Sequence, residues 1–192
     1  MTHAETSDDE LMVRGAAGDE AAFRTLVERW ERPVFAFLER MVASREDAQD
    51  LAQEAFVRMC RQAGRYRAEG RFRSWLFRIA GNLARSQLRR RKIVRWIRFE
   101  PGLHDAPAPD ADRADRSLES AESRSAVRKS LAKLPARQRE ALVLKMYEGM
   151  SYREIAHAMD VSLPAVESLL QRAMATLRRD WRDRTEAGEF EP

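Results

Sequence analysis

Apolar residues recur at intervals of three and four along much of the chain, which is the spacing of one face of an α-helix. This spacing predicts helices over about residues 19–41, 45–62, 71–91 and 120–133, and a further helix that Pro135 opens. Pro33 lies inside the first of these segments, where a proline kinks or restarts a helix. Ser44 stands at the N-cap position of the second, with acidic residues in the turn that follows. Strand signals are poor throughout, so the sequence predicts an all-α fold.

The helical pattern stops at about residues 99–125, a segment rich in proline, aspartate and alanine with few large apolar side chains. Such a segment has little with which to bury a core, so we interpret it as an acidic, flexible linker. Helix is expected to resume near residues 112–120. The fold class is therefore two small helical domains joined by this linker. The predicted division is 1–18 for an N-terminal tail and the start of the first helix, 19–98 for the first domain, 99–125 for the linker, 126–182 for the second domain and 183–192 for a C-terminal tail.

The most specific local pattern lies in residues 151–178 and is typical of a helix-turn-helix. Ser151 and Glu154 form a capping box that starts a short helix, and Ser162 can cap a second one. Asp160 stands in the turn, where many such motifs have glycine, and aspartate tolerates the left-handed conformation better than most residues. The second helix of such a motif enters the major groove of DNA. An ordinary helical hairpin is the alternative for this segment taken alone.

Charge is distributed very unevenly, although the net charge of the chain is only +4. Residues 58–98 carry 14 basic side chains and one acidic one, whereas residues 1–57 carry 6 basic and 13 acidic ones. Most of the basic residues in segment 58–98 are arginines, which prefer planar, bidentate contact with phosphate. The aromatic residues interleaved with them are Tyr66, Phe72, Trp75, Phe77 and Trp96. Basic and aromatic residues together suit a polyanion with stackable bases, so we favour a nucleic-acid surface over a solvated helix face.

The remaining composition excludes several classes of protein. The single cysteine, Cys60, cannot form an internal disulfide or a Cys-rich zinc site, and the three histidines are scattered. The polar, acidic N-terminus lacks the pattern of a signal peptide, and no stretch reaches the ~18–20 apolar residues that span a bilayer. We therefore expect a soluble, cytoplasmic protein that needs no cofactor and no metal.

These motifs, in this order, resemble those of extracytoplasmic-function (ECF) sigma factors, the minimal type with two helical domains, σ2 and σ4. Residues 46–56 resemble the family's acidic "DAEDLVQETF" helix, and residues 72–84 resemble its "FRAWLYRIARNLA" helix. Residues 134–140 and 147–152 resemble the start of σ4. The resemblance covers nearly the whole chain apart from the linker and the short tail. It implies a non-catalytic factor that binds core RNA polymerase and directs promoter recognition and transcription initiation.

The resemblance also implies roles for individual residues. In this family the acidic helix docks on a coiled coil of the largest catalytic subunit, and the matching positions are Asp47, Asp50, Gln53 and Glu54. For the −10 element, where a base is unstacked and held in a pocket, the candidates are Arg65, Tyr66, Arg67, Arg73, Trp75, Arg78, Asn82, Arg85, Arg89 and Arg90. Trp75 fits either the DNA surface or the core. For the −35 element the candidates are Ala165, Ser168, Leu169, Gln171 and Arg172.

The helix that matches the −35 reader departs from the family pattern "GTVKSRLHRAR". The lysine, the histidine and two of the three arginines of that pattern are replaced, and the residues at those positions are Glu167, Leu169, Gln171 and Met174. The core positions persist, so the departure concerns base preference and phosphate affinity rather than the fold. Leu169 suits either a thymine methyl group or a partner interface.

The implied partners are core RNA polymerase, promoter DNA and an anti-sigma factor, which in this family is often anchored in the membrane. Two other functions compete with this one. A σ-like decoy or a helix-turn-helix repressor is motivated by the reduced basic character of the −35 helix, but a decoy has no need for the strongly basic segment. An enzyme acting on nucleic acid has weak support, because no carboxylate–histidine cluster appears in the sequence.

Overall fold

The computed structural model describes residues 6–97 and 118–186, and no strand occurs within those two ranges. The helices are α1 (Asp8–Ala16), α2 (Glu20–Val42), α3 (Arg45–Gln62), α4 (Phe72–Ile97), α5 (Leu118–Lys133), α6 (Ala136–Met146), α7 (Tyr152–Met159) and α8 (Leu163–Glu186), with a 3-10 turn at Ala63–Arg65. The predicted all-α fold is confirmed. Helices α1–α4 form a first domain, and α5–α8 form a second. Most of the predicted linker (99–117) and part of the predicted C-terminal tail (187–192) lie outside the described residues.

Helix α3 begins where its capping residue predicts. Ser44 has an extended backbone, and its hydroxyl accepts a hydrogen bond from the backbone N–H of Asp47 at 3.3 Å. The helix then covers the whole predicted segment. Helix α2 continues through Pro33 and does not restart there. Val34 and Phe37, in the turn that follows, are fully buried, so tertiary packing outweighs the loss of one backbone hydrogen bond.

The core of the first domain is built from aromatic side chains of α2 and α4. Phe37 of α2 and Phe77 of α4 meet edge to face, with ring centroids 5.2 Å apart. Trp30 lies 6.1 Å from the rings of both Phe72 and Phe77. These contacts fix α4 against α2 and so determine which of its faces is left for other partners.

The N-terminal segment forms a separate helix, α1, where the sequence predicts a tail and the start of the first helix. Ser7 caps α1 through its hydroxyl, and Leu11 and Met12 are buried. Gly15 lies so close to α2 that a Cβ there would lie 2.6 Å from the ring of Phe23. Three acidic residues occupy the first turn of α1, so its sequence looks like a solvated tail although its other face is packed.

Helices α7 and α8 form the predicted helix-turn-helix. The N–H of Ser151 donates to the carboxylate of Glu154 at 2.7 Å, and the N–H of Glu154 donates to the hydroxyl of Ser151 at 3.3 Å. Asp160 has a φ of 53°, the left-handed conformation that the turn requires. Ser162 accepts a hydrogen bond from the N–H of Ala165 at 3.4 Å and so caps α8. Each of these features depends on residues close together in the chain.

The two domains pack against each other, with α7 on α4 and α6 on α2. Arg139 of α6 is buried, and its guanidinium donates to the backbone carbonyl of Met41 at the end of α2. The same group donates to the carbonyls of Ala132 at 2.7 Å and Leu134 at 3.2 Å. Burying a charged group costs free energy unless it is hydrogen-bonded, and these three carbonyls satisfy both terminal nitrogens while the buried Nε has no partner among the described residues. One side chain therefore joins the end of α2 to the connection between α5 and α6.

Candidate nucleic-acid and protein interfaces

A groove of about 210 Å³ opens between the turn after α3 and the first two turns of α4. The predicted −10 residues that line it are Arg65, Tyr66, Arg67, Trp75 and Arg78. The rest of its lining comes from Glu69, Arg71, Ser74 and, from α7 of the second domain, His157. Aromatic faces beside arginine side chains suit a nucleic-acid base and its phosphates. We refer to this opening as the basic–aromatic groove.

Tyr66 and Trp75 form the aromatic side of the basic–aromatic groove, and the ring of Phe72 lies behind them. The ring centroid of Tyr66 lies 4.9 Å from that of Trp75 and 6.0 Å from that of Phe72. Phe72 is buried, whereas Tyr66 and Trp75 are half-buried. Trp75 therefore fits both interpretations that the sequence allows. One part of its side chain packs against the core, and another part lines the groove.

The hydroxyl of Tyr66 is held by α1. It donates a hydrogen bond to Oδ1 of Asp9 at 2.5 Å, and the backbone N–H of Gly70 donates to the same oxygen at 3.2 Å. Burial raises the pKa of Tyr66, and the neighbouring carboxylate of Asp9 raises it further. Tyr66 is therefore a protonated donor at neutral pH. The sequence pattern does not single out Asp9, because it lies in a run of acidic residues.

Three of the predicted −10 arginines contact the second domain. Arg73 donates to the backbone carbonyl of Glu148. Arg78 donates to the backbone carbonyl of His157 through Nε at 3.0 Å and through Nη2 at 2.7 Å. The third, Arg85, contacts α6. Helix α6, helix α7 and the loop between them thus engage the arginines along the side of α4 that adjoins the basic–aromatic groove.

Arg85 forms an ion pair with Glu140 of α6 and donates a hydrogen bond to the side chain of Asn82. Glu140 is fully buried, and burial raises the pKa of its carboxyl against the opposing effect of the Arg85 charge. Its carboxylate fits because residue 81 is glycine, since a Cβ there would overlap Oε1 of Glu140. The family helix quoted above has arginine at the position of Gly81. That difference is the one sequence signal that indicates this contact.

The other predicted −10 residues remain exposed. On α4 these are Asn82, Arg89 and Arg90, and in the turn before it they are Arg65 and Arg67. The structure therefore divides the predicted −10 set into side chains that face solvent and side chains engaged by the second domain.

The predicted polymerase-binding residues lie on α3 and differ in their surroundings. Asp47 accepts a hydrogen bond from the side chain of Gln87 at 3.0 Å and forms an ion pair with Arg91, both on α4. Asp50 and Gln53 are exposed. Asp47 therefore ties α3 to α4, while Asp50 and Gln53 project to solvent.

Glu54 and Arg58 form an ion pair within α3, with 2.7 Å between Oε1 and Nε. Their side chains are 40% and 43% exposed. Ion pairs this exposed contribute little to stability, so Glu54 can exchange Arg58 for another basic group at small cost.

The predicted −35 residues lie on the first three turns of α8. Ala165, Ser168 and Leu169 are half-buried, and Gln171 and Arg172 are exposed. Leu169 packs partly against the core, which favours an interface or structural role over a base contact. Glu167 is also exposed, so a negative charge faces outward one turn before Arg172. This helix therefore presents a nearly neutral face.

Comparison with known proteins identifies both domains. The family model for Sigma-70 region 2 matches residues 26–93, and the model for Sigma-70 region 4 matches residues 124–177. The RNA polymerase sigma-H factor of Pseudomonas aeruginosa is 34% identical over 178 residues, which cover 86% of this chain and 89% of that protein. The ECF RNA polymerase sigma-E factor of Haemophilus influenzae is 34% identical over 176 residues, 87% of this chain and 91% of that protein. The chain belongs to the ECF sigma factors.

An ECF sigma factor directs RNA polymerase to promoters and initiates transcription, and family membership implies a specificity subunit without catalysis of its own. The first domain is thus a σ2 domain and the second a σ4 domain. Helix α1 precedes the residues that the region 2 model matches, whereas the two groups that donate to Asp9, Tyr66 and Gly70, lie within them.

Two solved structures are similar to the whole arrangement. CnrH, determined in complex with the cytosolic domain of CnrY, has a TM-score of 0.71 and 26% identity, and the match covers 93% of this chain and 99% of that one. RpoE of Bartonella quintana, determined with the anti-sigma factor NepR, has a TM-score of 0.61 and 24% identity over 82% of this chain and 94% of that one. The second likeness concerns the fold alone.

The described residues also bear on contact with a membrane and with metal ions. None of the helices in residues 6–97 and 118–186 is long and apolar enough to cross a membrane. Over the same residues, no group of three His, Cys, Asp or Glu side chains is placed to hold a metal ion.

Proposed function

We propose that this ECF sigma factor reads the −10 element with the basic–aromatic groove and the adjoining face of α4. The observation that carries the proposal is the groove itself, where arginines and two half-buried aromatic rings surround one opening of about 210 Å³. Flipping a base out of a duplex costs a few kcal/mol. Stacking on Tyr66 or Trp75 offsets about 1–3 kcal/mol of that cost, and phosphate contacts from Arg65 and Arg67 offset more of it.

Core RNA polymerase is the proposed partner of α3. Asp50 and Gln53 are exposed and Glu54 is held only by an exposed ion pair, so these three side chains make the proposed contact. Asp47 orients α3 through its bonds to α4. An acidic surface beside a strongly basic one requires a basic partner other than DNA, because like charges across an interface are unfavourable.

The −35 element is the proposed target of α8, with Gln171 and Arg172 as the exposed contacts and Ser168 beside them. One arginine and a nearby glutamate, Glu167, leave little net attraction for phosphate. Recognition of the −35 element by this chain therefore depends more on hydrogen bonds to base edges than on phosphate contacts.

The packed arrangement of the two domains is proposed to be a resting form. Arg73 and Arg78 donate to neutral backbone carbonyls of the σ4 domain, and Arg85 pairs with Glu140. A phosphate group offers these arginines an opposite charge and two oxygens for bidentate contact, neither of which a neutral carbonyl provides, so DNA competes well for the first two arginines. Contact with the −10 element then requires the σ4 domain to leave α4.

An anti-sigma factor is the proposed regulator. CnrH was determined with the cytosolic domain of CnrY, and RpoE of Bartonella quintana with the anti-sigma factor NepR. A similar partner that binds both domains of this chain would stabilise the packed form and keep α4 covered. The proposed location is the cytoplasm, and a membrane-anchored partner would hold the chain at the inner membrane face.

The test of this function is transcription from genomic DNA fragments with purified chain and core polymerase, with start sites read by sequencing the transcripts. The chain is expected to bind core polymerase and to select fragments that share a −10 and a −35 element. The double reversal Asp50→Lys with Glu54→Lys should weaken polymerase binding about tenfold or more while leaving the melting temperature unchanged.

The matched control is Glu46→Lys, which reverses an exposed acidic side chain at the start of the same helix. It should bind polymerase nearly as the wild-type chain does. Failure of the wild-type chain to bind core polymerase would overturn the proposal, and DNA binding without transcripts would indicate a repressor instead.

A further inference from the structure

Asp9 of α1 contacts both ends of the loop that frames the basic–aromatic groove. Its Oδ1 accepts a hydrogen bond from the hydroxyl of Tyr66 at 2.5 Å and another from the backbone N–H of Gly70 at 3.2 Å. Tyr66 follows the 3-10 turn, and Gly70 lies two residues before the start of α4. One carboxylate therefore closes the loop 66–70 across its base.

Helix α1 is itself held firmly, which gives Asp9 a fixed position. The neighbouring Asp8 accepts hydrogen bonds from Arg29 at 2.5 Å and from Nε1 of Trp30 at 3.1 Å, both on α2. Trp30 in turn packs against the core phenylalanines of α4. The path from α2 through α1 to the loop therefore consists of packed side chains and hydrogen bonds.

The two contacts to Asp9 determine the shape of the loop. A hydroxyl bonded to an ionised carboxylate makes one of the stronger hydrogen bonds in proteins, and here it orients the ring of Tyr66 against Trp75. Gly70 has a φ of +70°, a left-handed conformation that glycine adopts without strain. Its N–H points back to Asp9 in that conformation, so the end of the loop is anchored where α4 begins.

The acidic groups beside this surface have different partners. Glu69 lines the groove and forms an ion pair with Arg71, with 3.3 Å between Oε2 and Nη1. Arg65, Arg67 and Arg71 line the groove, and a carboxylate near it repels the phosphates they would bind. Asp9 is half-buried, and it accepts hydrogen bonds from two groups of the loop rather than from an arginine.

We infer that Asp9 is a positioning residue for −10 recognition: it holds Tyr66 and the loop 66–70 so that the groove is formed before the DNA strand arrives. Asp9 does not contact the base in this role. The inference rests on the proposed function, in which the groove receives an unstacked base. Its consequence is that Asp9 affects discrimination between strands, because a preformed groove does not have to be ordered on binding.

The experiment uses the full chain bound to core RNA polymerase, because the packed form of the free chain keeps part of α4 covered. This complex is given a pool of single-stranded DNA with randomised positions, from which the wild-type chain selects a preferred strand. The variants are Asp9→Asn, Asp9→Ala, Tyr66→Phe and the double variant Asp9→Ala with Tyr66→Phe. Affinity is measured for the preferred strand and for a scrambled strand of equal length. Asp9→Ala is expected to lower the affinity ratio of the two strands about tenfold, with polymerase binding kept. Asp9→Asn keeps an acceptor oxygen but loses the charge, so it is expected to lower the ratio by less.

Tyr66→Phe removes the same hydrogen bond from the other side and keeps the ring, so it provides a second route to the answer if an Asp9 variant folds poorly. If Asp9 acts through Tyr66, the effects of the two single variants should not add in the double variant. Glu10→Gln is the matched control, since it removes an exposed acid from the same turn of α1 and should leave the ratio unchanged.

The outcomes separate this inference from the function on which it rests. A wild-type chain that prefers no strand would overturn the −10 proposal itself. A discriminating wild-type chain whose Asp9 variants discriminate equally well would overturn only the role of Asp9. Equal loss of affinity for both strands together with a lower melting temperature would show that Asp9 serves the fold alone.

Discussion

The two candidate DNA surfaces of this sigma factor differ in charge and in how far another domain covers them. The σ2 surface combines the basic–aromatic groove with the arginines of α4, and the packed σ4 domain engages Arg73, Arg78 and Arg85. The σ4 surface, on α8, faces solvent but carries Arg172 with Glu167 one turn away. The strongly basic surface is thus partly covered, since only some of its arginines contact the σ4 domain, and the weakly charged surface is open.

This contrast indicates how a chain with an excess of positive charge can avoid non-specific DNA. Phosphate contacts supply most of non-specific affinity and carry no sequence information. Covering the arginines of α4 removes part of that affinity, whereas an exposed α8 with little net charge adds little to it. Promoter binding can then be coupled to the separation of the domains.

The largest effect is expected when the charge of the groove is reversed. Arg65→Glu with Arg67→Glu should lower transcription from a selected promoter on the order of 100-fold, because two contacts of about 1–3 kcal/mol each are lost. Both side chains are exposed, so the melting temperature should stay within a few degrees of the wild-type value. Transcript yield and thermal unfolding are the two measurements.

Arg61→Glu is the matched control for the groove variants, since Arg61 is exposed in the same basic segment and does not line the groove. If it lowers transcription as much as the double variant does, overall charge matters and the groove does not.

A smaller effect is expected when the packing of the σ4 domain against α4 is weakened. Gly81→Ala places a Cβ where the carboxylate of Glu140 lies, so it should shift the chain from the packed form toward separated domains. The same change favours helix α4 by about 1 kcal/mol, because alanine has the higher helix propensity. Dyes attached to Cys60, the single cysteine of the chain, and to an Ala175→Cys variant on α8 report the domain separation by energy transfer.

We expect energy transfer to fall in Gly81→Ala and the affinity for the preferred single strand to rise several-fold. Gly64→Ala is the control, since a Cβ at that glycine meets no neighbouring atom. Unchanged energy transfer with a lower melting temperature would mean that the two domains form one rigid unit, and the contrast between covered and open surfaces would not hold.

The smallest effect is expected on α8. Glu167→Lys should strengthen binding to duplex promoter DNA a few-fold and steepen the dependence of log affinity on log salt by about one unit. Affinity measured over a series of salt concentrations tests both numbers. Asp183→Lys makes the same change of charge on an exposed residue near the other end of α8 and should alter the salt dependence less.

Features that depend on neighbouring residues were predictable. Ser44 caps α3, Ser151 and Glu154 form a capping box, and Asp160 takes the left-handed conformation in the turn. Each is decided within about one helical turn, where the geometry of a few backbone groups leaves few alternatives. The lengths of α2 and α3 follow from apolar spacing for the same reason.

Features that join distant parts of the chain were not predictable. In the sequence, helix α1 looks like an acidic tail. Asp8 and Asp9 accept hydrogen bonds from α2 and from the loop 66–70, and those contacts exist only in the folded chain. The placement of Glu140 against Gly81 likewise depends on how α6 lies on α4. Packing decides such contacts, and no periodicity records them.

The sequence by itself therefore predicted the helices after α1, the two-domain organisation, the ECF family and the segments proposed for each contact. Only the tertiary structure decided which of the predicted −10 arginines face solvent, which are engaged by the σ4 domain, and which residue holds the groove in shape. Hydrogen bonds from arginine to backbone carbonyls, such as that of Arg78 to His157, leave no mark in sequence, because every residue carries the acceptor.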